Sequence, residues 1–259
     1  MKESYYILAY KPVNWKCNLG KYKILECGSA LHENHFGEIL DNSSDNISSK
    51  NKCWVETTGI YWIWKNDDSD IKGHTQYRRF LSVNLDFAPI ILEEYDIILA
   101  SPAWFVTSNE IQYASAANIN DLCDCERIIK EHFTEYAKSY DDVIKNSNIL
   151  YYSNSFIAKK EIYDGLCSFC FDVLNLFEQM HKFTCYDDVY NYEKKYFDNI
   201  KVNSKILEMV TEIHPEMHDY IEYRSMVFGY LFERLMNVYI KKHNLKIYDS
   251  GKYISNMLI

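Results

Sequence analysis

Short apolar runs predict the strands of this chain. The first covers residues 5–9 and stops at Tyr10, Lys11 and a proline, which is typical of a buried strand that runs into a loop. Because ligands of open α/β sheets bind beyond the carboxyl ends of strands, we expect Tyr10 and Lys11 to face a site. Further strands are predicted over residues 71–77, 95–99 and 149–158, the last with Asn154 at its centre.

Apolar residues at helical spacing lie between these strands and dominate the end of the chain. The last such segment, residues 220–241, carries two apolar stripes, and Glu233 falls in one of them among Met, Gly and Ile. A carboxylate is costly to bury without a partner, so Glu233 requires either Arg234 or a polar pocket beside it. The alternation of helix and strand indicates the α/β class. Other helices are predicted over residues 53–66, 124–139 and 160–180.

The helix predicted over residues 53–66 is surrounded by aromatic and apolar side chains, so most of its surface must be covered. Glu56 is the one acidic residue in it, which makes this carboxylate a candidate for a special role. The polar stretch at residues 41–51 is rich in helix-capping side chains and predicts a loop before the helix.

Composition and charge narrow the class of protein. The chain has 259 residues, of which 47% are hydrophobic and 25% charged, and this suits one α/β domain with an appended helical part. Its net charge of −9 comes from acids scattered along the sequence. A broad nucleic-acid surface must neutralise many phosphates, so we expect no nucleic-acid partner.

The sequence also predicts a compartment. No run reaches about 18 uninterrupted apolar residues, and the first ten residues lack the pattern of a signal peptide. We therefore expect a cytoplasmic protein, with at most peripheral contact at the inner face of the cell membrane. The eight cysteines are then expected to be reduced thiols, and their spacing does not match a zinc site.

Two adjacent arginines, Arg78 and Arg79, follow the strand predicted over residues 71–77. A guanidinium group is permanently charged and binds phosphate oxygens through two donors, so the pair could replace a metal ion at a leaving nucleotide diphosphate. Neighbouring side chains of a strand face opposite ways, so both reach one ligand only if the strand ends before them. If only one of the two reaches the diphosphate, we predict that it is Arg78. The alternative to a diphosphate site is a solvated basic turn.

Other motifs have a metal-binding interpretation. Asp68 and Asp70 match an Asp-x-Asp motif that holds Mg²⁺ or Mn²⁺, but they lie between a helix and the start of a strand, where acids usually form a solvated turn. His214 and His218 are four residues apart, but Pro215 would disturb the helix that a metal pair needs, so surface histidines are expected.

No nucleophile elbow, glycine-rich phosphate loop or dinucleotide fingerprint occurs, which argues against hydrolases, kinases and dehydrogenases.

Several segments, in matching order and at matching separations, carry a family resemblance. They are Asp45-Asn46-Ile47-Ser48 with Lys50-Asn51, Glu56-Thr57-Thr58 with Tyr61-Trp62-Ile63-Trp64-Lys65-Asn66, Gln76-Tyr77-Arg78-Arg79, Asn154-Ser155-Phe156-Ile157, and Val227-Phe228-Gly229-Tyr230-Leu231-Phe232-Glu233-Arg234-Leu235. These segments resemble the motifs of bacterial capsular and exopolysaccharide glycosyltransferases formerly known only as a domain of unknown function, whose mark is His-Tyr-Arg-Arg. Gln76 replaces that His and Ser44 replaces a glycine, so Gln76 is assigned only a hydrogen-bonding role.

The resemblance implies a GT-A-like (Rossmann-like) mixed sheet flanked by helices. Residues 1–185 would form the nucleotide-sugar-binding and acceptor region, and residues 186–259 a helical C-terminal part packed on the same domain. The implied activity is transfer of a hexose, with galactose in pyranose or furanose form suggested by the family. The donor would be a UDP-linked sugar, and the acceptor a growing capsule, lipopolysaccharide or exopolysaccharide chain, free or lipid-linked.

The resemblance also implies roles for single residues. Arg78 and Arg79 would neutralise the departing diphosphate without a required metal cofactor. Glu233, or as second choice Glu56, would be the general base, since partial burial raises the pKa of a carboxylate. Substrate or nucleotide contacts fall to Tyr10, Lys11, Asp45, Asn46, Glu56, Gln76, Tyr77, Asn154 and Arg234.

Two alternatives stay open at this point. One is a non-catalytic nucleotide-sugar-binding component of a polysaccharide assembly complex. The other is a metal-dependent transferase that holds Mg²⁺ or Mn²⁺ with Asp68 and Asp70.

Overall fold

A computed structural model describes residues 1–14, 19–198 and 219–254. The strands are β1 (Glu3–Ala9), β2 (Tyr22–Glu26), β3 (Ile39–Leu40), β4 (Ile71–Gln76), β5 (Ile97–Leu99), β6 (Ala103–Trp104), β7 (Ile149–Leu150), β8 (Phe156–Lys159) and β9 (Ile247–Asp249). Seven of them form one sheet in the order β3-β2-β1-β4-β8-β5-β9, while β6 and β7 pair separately.

The direction of the strands brings several of their ends to one edge of the sheet. Strand β1 is parallel to both β2 and β4, whereas β8 is antiparallel to β4. Because β8 runs the opposite way, its first residue, Phe156, pairs with His74 near the end of β4. The carboxyl ends of β1, β2 and β4 therefore meet the amino end of β8, and such an edge is where α/β sheets bind ligands.

Helices cover this sheet. They are α1 (Asn51–Trp54), α2 (Thr57–Asn66), α3 (Ala88–Glu94), α4 (Asn109–Ala114), α5 (Ile119–His132), α6 (Ala137–Tyr140), α7 (Lys160–His181), α8 (Tyr186–Phe197), α9 (Tyr220–Arg224) and α10 (Val227–His243). A π-helical turn, Asp141–Lys145, extends α6, and 3-10 turns cover Ser29–Leu31, Ser48–Lys50 and Thr134–Tyr136. In the described ranges, no helix combines the length and apolarity needed to cross a bilayer.

The largest part of the core lies where α7 and α10 pack against each other and against α1 and α2. The Trp54 ring stacks on Phe228 with 4.2 Å between ring centroids, which fixes α1 against α10. Gly229 permits this approach, because a Cβ atom there would collide with the Val55 side chain. The packing holds Glu56, the residue after Val55, beside α10.

The predicted fold class is confirmed, since a mostly parallel mixed sheet is flanked by helices. The strand predicted over residues 149–158 is wrong in its middle, because β7 and β8 belong to different sheets. Ser153 and Asn154 lie in the turn between them with φ of 75° and 46°, angles that a strand does not contain. Asn154 therefore lies in a turn and not at the centre of a strand.

Helix boundaries differ from prediction for local reasons. The helix predicted over residues 53–66 is broken at Val55, whose φ is 44°. Helix α5 begins earlier than predicted because the side chain of Asn118 caps it by accepting a hydrogen bond from the Asn120 N–H. The C-terminal part also contributes a strand, β9, which pairs with β5. His214 and His218 lie outside the described residues.

Candidate functional site

A cavity of about 610 Å³ opens at the edge of the sheet where β1 and β4 end. Residues that follow these strands form one side of it, the turn before β8 and the start of α2 form its floor, and α8, α9 and α10 form the other side. Eight of the sequence-predicted site residues line the cavity: Tyr10, Glu56, Gln76, Tyr77, Arg78, Arg79, Asn154 and Glu233.

Arg78 and Arg79 both line the cavity because β4 ends at Gln76. The backbone turns there, with Gln76 and Arg79 forming an isolated bridge, so the alternation of a strand no longer separates the two side chains. Nη1 of Arg79 donates to Oγ of Ser153 at 2.7 Å. The Arg78 guanidinium lies 5.1 Å from the centroid of the Tyr77 ring. Two permanent positive charges thus stand side by side at the end of a central strand.

Glu56 lies between the two sides of the cavity. Its Oε1 accepts hydrogen bonds from Nε2 of Gln76 at 2.6 Å and from Nδ2 of Asn154 at 3.0 Å. Burial raises the pKa of Glu56, and the nearby Glu233 carboxylate adds to that rise, against the opposing effect of the amide donors. The side-chain donors that hold Glu56 are neutral, so the carboxyl group is oriented without a cationic partner.

Glu233 is held differently, by a cation and a backbone amide. Its Oε1 accepts from Nη1 of Arg234 at 2.6 Å, and its Oε2 accepts from the Ser153 N–H at 2.6 Å. A carboxylate on an apolar helix face requires a partner, and Glu233 has two: Arg234 and the Ser153 amide of the cavity. Arg234, also on α10, is buried and donates to Gln112 at 3.1 Å, so its side chain supports Glu233 and does not line the cavity.

Three cavity residues have a backbone conformation that L-amino acids rarely adopt. Val55, Ser153 and Asn154 have φ of 44°, 75° and 46°, and Val55 is β-branched, for which a positive φ is especially unfavourable. Such residues cost about 1–3 kcal/mol each and persist where their surroundings fix them, typically at functional sites. Here the strain is located where the chain presents Glu56 and Asn154 to the cavity.

A buried histidine fixes the turn that contains Asn154. Nε2 of His74 lies 2.5 Å from the Asn154 carbonyl oxygen, and Nδ1 of His74 lies 3.0 Å from the Tyr163 hydroxyl. Since a carbonyl only accepts, Nε2 carries the proton and Nδ1 accepts from Tyr163. Burial lowers the pKa of His74 to about 3, so the ring is neutral at physiological pH.

Four predicted contact residues lie outside the cavity lining: Lys11, Asp45, Asn46 and Arg234. The loop of Asp45 and Asn46 folds on itself and on α2. Asp45 accepts from the Tyr61 hydroxyl at 3.1 Å, and Nδ2 of Asn46 donates to the Ser44 carbonyl at 2.8 Å. These side chains stabilise the entry to α2, which explains why polar residues are concentrated there. Lys11 packs over the Tyr10 ring at 5.2 Å.

Asp68 and Asp70 lie at the opposite end of β4 from the cavity, before its first residue. Asp68 forms an ion pair with Lys160 at 2.9 Å, and Asp70 accepts from the Lys2 N–H at 2.7 Å. Within the described part of the chain, no group of three His, Cys, Asp or Glu side chains converges as metal ligands. At the cavity itself, the end of β4 carries arginines, whose donors do not suit a cation.

Several cavity residues carry no clear signal in the sequence. Ser153 contacts both Arg79 and Glu233, yet the sequence pattern places it inside a strand. Its one local signal is the turn-forming pair Ser-Asn, because Asn tolerates positive φ. The tyrosines Tyr186, Tyr223 and Tyr230 also line the cavity, and in a chain with 23 tyrosines nothing distinguished them.

Comparisons with known proteins agree with this fold. Among solved structures, the chain is similar to WbbM, a bifunctional glycosyltransferase in its apo form, with a TM-score of 0.72 and 23% sequence identity over 96% of this chain. The chain spans 44% of the length of that protein, and at this identity the likeness shows the fold alone. No curated protein matches the chain. The family model described as "Domain of unknown function (DUF4422)" matches residues 5–200, so the chain belongs to this family.

Proposed function

We propose that this protein is a glycosyltransferase that moves a hexose from a nucleotide diphosphate sugar to a glycan acceptor. The observation that carries the proposal is that two arginines and two carboxylates line one cavity at the carboxyl edge of the sheet. They are Arg78, Arg79, Glu56 and Glu233. Similarity in fold to a glycosyltransferase supports it. The family resemblance suggests galactose, a UDP-linked donor and a capsule, lipopolysaccharide or exopolysaccharide acceptor.

Arg78 and Arg79 are proposed to hold the diphosphate. When the bond between the anomeric carbon and the diphosphate breaks, the electron pair leaves on the phosphate oxygen, and fixed guanidinium groups stabilise that charge. Arg79 is already oriented by Ser153, which reduces the cost of ordering its long side chain on binding. Tyr10 and Tyr77, whose rings pack edge to face at 5.6 Å, lie beside this position and are proposed to contact the nucleoside.

Glu56 is proposed as the general base if the reaction inverts configuration. It would take the proton of the acceptor hydroxyl as that oxygen bonds to the anomeric carbon. A base needs a raised pKa to accept a proton near neutral pH, and burial raises the pKa of Glu56. Glu233 is the general base that the sequence favours, but it is paired with Arg234 and the Ser153 amide. Glu233 is therefore proposed to hold the turn and is the second candidate for the base.

Gln76 and Asn154 are proposed to position Glu56, and Asn154 also to meet sugar hydroxyl groups. Both donate to the same oxygen of Glu56, and Oδ1 of Asn154 has no hydrogen-bond partner among the described residues. A buried amide oxygen without a partner is costly, and a small rotation toward a donor hydroxyl would satisfy it.

The reaction is proposed not to require a metal ion, because the arginines supply positive charge where the diphosphate would lie. We also propose a cytoplasmic location, with at most peripheral contact with the inner face of the membrane. Residues 1–185, which the resemblance assigns to both donor and acceptor, are proposed to bind the donor. Described residues of the C-terminal part, such as Tyr186, Tyr223 and Glu233, complete the cavity and leave room for the acceptor beside them.

Release of free nucleoside diphosphate from a panel of UDP-, GDP- and dTDP-sugars in the presence of EDTA tests this function. We expect release from one UDP-hexose, with or without EDTA, and faster release when a glycan acceptor is added. Binding of UDP without release from any donor would favour the non-catalytic binding component. Turnover that EDTA abolishes would favour a metal-dependent transferase.

A further inference from the structure

We propose that the side of the cavity formed by α8, α9 and α10 is a platform that binds a neutral sugar ring of the acceptor. This helical wall consists of Tyr186, Glu222, Tyr223, Met226 and Tyr230. The inference rests on the proposed glycosyl transfer and adds to it a location and a chemical class for the second substrate.

Charge separates the two sides of the cavity. The cations Arg78 and Arg79 lie at the end of β4, whereas the helical wall carries the carboxylate of Glu222. Glu233 is paired with Arg234 and adds little net charge. A diphosphate is thus attracted to the β4 side, while the Glu222 carboxylate can accept hydrogen bonds from sugar hydroxyls.

Aromatic rings give the helical wall its shape. Tyr223 and Tyr230 lie 5.7 Å apart between centroids, and the Tyr230 hydroxyl donates to the Tyr223 carbonyl at 3.2 Å. The buried Arg224 guanidinium lies 4.3 Å from the Tyr230 ring and 5.6 Å from the Tyr223 ring. The rings are therefore held rigidly before any ligand arrives, which lowers the entropic cost of binding.

Half-buried tyrosines suit a sugar better than a nucleotide phosphate. One face of a pyranose ring presents C–H groups, which pack on an aromatic face, while its rim of hydroxyl groups needs acceptors such as Glu222. Glu56 contacts Gln76, two residues before Arg78, and its Oε2 lies 4.0 Å from the position that a Cβ of Gly229 on α10 would take, so a sugar on the platform would present a hydroxyl to the proposed base. The geometry thus orders the cavity as diphosphate, base and acceptor.

Saturation-transfer NMR tests this inference without requiring turnover. The 259-residue chain, with and without UDP, is mixed with methyl glycosides of galactose, glucose, mannose and N-acetylglucosamine. We expect the ring protons of at least one glycoside to receive saturation, and Tyr186→Ala and Tyr223→Ala to weaken its binding about tenfold. Tyr223→Phe should keep the binding, because it keeps the ring.

Tyr95→Ala is the matched control, since Tyr95 is a half-buried tyrosine under a lysine, Lys246, outside the cavity. Thermal unfolding verifies that each variant is folded. Absence of binding for every glycoside, or unchanged binding in both alanine variants, would overturn the inference. UDP affinity, measured in the same samples by calorimetry, reports separately on the proposed function, because the helical wall should not affect it.

Discussion

Nδ2 of Asn154 donates to Oε1 of Glu56 at 3.0 Å, joining residues that are 98 positions apart in the sequence. The contact connects the turn before β8 to the start of α2. Asn154 has a positive φ, and so does Val55, the residue before Glu56, whereas Glu56 itself has a helical backbone. An unfavourable backbone conformation therefore lies at or next to each residue of this contact.

Removal of either arginine should weaken donor binding. Hydrogen bonds to charged groups contribute about 1.5–3 kcal/mol, so Arg78→Ala and Arg79→Ala are each expected to lower UDP affinity by roughly 10- to 150-fold. Isothermal titration calorimetry measures this directly. Arg127→Ala is the control, because Arg127 is a half-exposed arginine paired with Asp124 on α5, away from the cavity. Equal UDP affinity in all three variants would exclude the arginines from the diphosphate site.

Glu56 should set the acid limb of the pH–rate profile. Burial raises the pKa of Glu56 above the ordinary carboxyl value, and a general base works only when deprotonated, so the rate should rise with pH through a midpoint above about 4.3. Glu56→Gln should lower kcat by about 10²- to 10⁴-fold and change UDP affinity little. If Glu233→Gln stopped turnover while Glu56→Gln remained active, the two carboxylates would have to exchange roles.

The strain at Ser153 can be separated from its hydrogen bond to Arg79. Ser153→Gly and Ser153→Ala both remove the hydroxyl, but only glycine adopts the φ of 75° without cost. We expect the glycine variant to be more stable than the alanine variant by about 1 kcal/mol in denaturant unfolding. Both variants should bind UDP more weakly than the wild type, and to the same extent. An alanine variant as stable as the glycine variant would show that the backbone is not strained there.

His74 should make stability depend on pH. Its pKa is lowered by burial to about 3, whereas an unfolded histidine titrates near 6.5, so between these values only the unfolded chain takes up the proton. The free energy of unfolding should therefore be highest above about pH 6.5 and fall as the pH decreases. Between pH 7.5 and 5, the wild type should lose about 2 kcal/mol more than His74→Gln. Parallel curves for the two proteins would contradict a neutral buried ring.

The sequence predicted what depends on local pattern. Arg78 and Arg79 were identified because they follow an apolar strand directly, and the Glu233–Arg234 pair because a carboxylate on an apolar helix face needs a partner. The contact of Asn154 with Glu56 could not be predicted, since it depends on a turn that interrupts an apparently continuous strand. Asp45 and Asn46 lie outside the cavity lining, and the sequence cannot show this because polar loop residues look alike whether they contact a ligand or their own backbone.

Binding of the diphosphate by the two arginines can be observed directly in a crystal structure with bound UDP. We expect pyrophosphate oxygens about 3 Å from the guanidinium nitrogens of Arg78 and Arg79, with the uracil ring near Tyr10. A diphosphate bound elsewhere in the cavity, such as against the tyrosines of the helical wall, or bound through a metal ion with the arginines turned away, would contradict it.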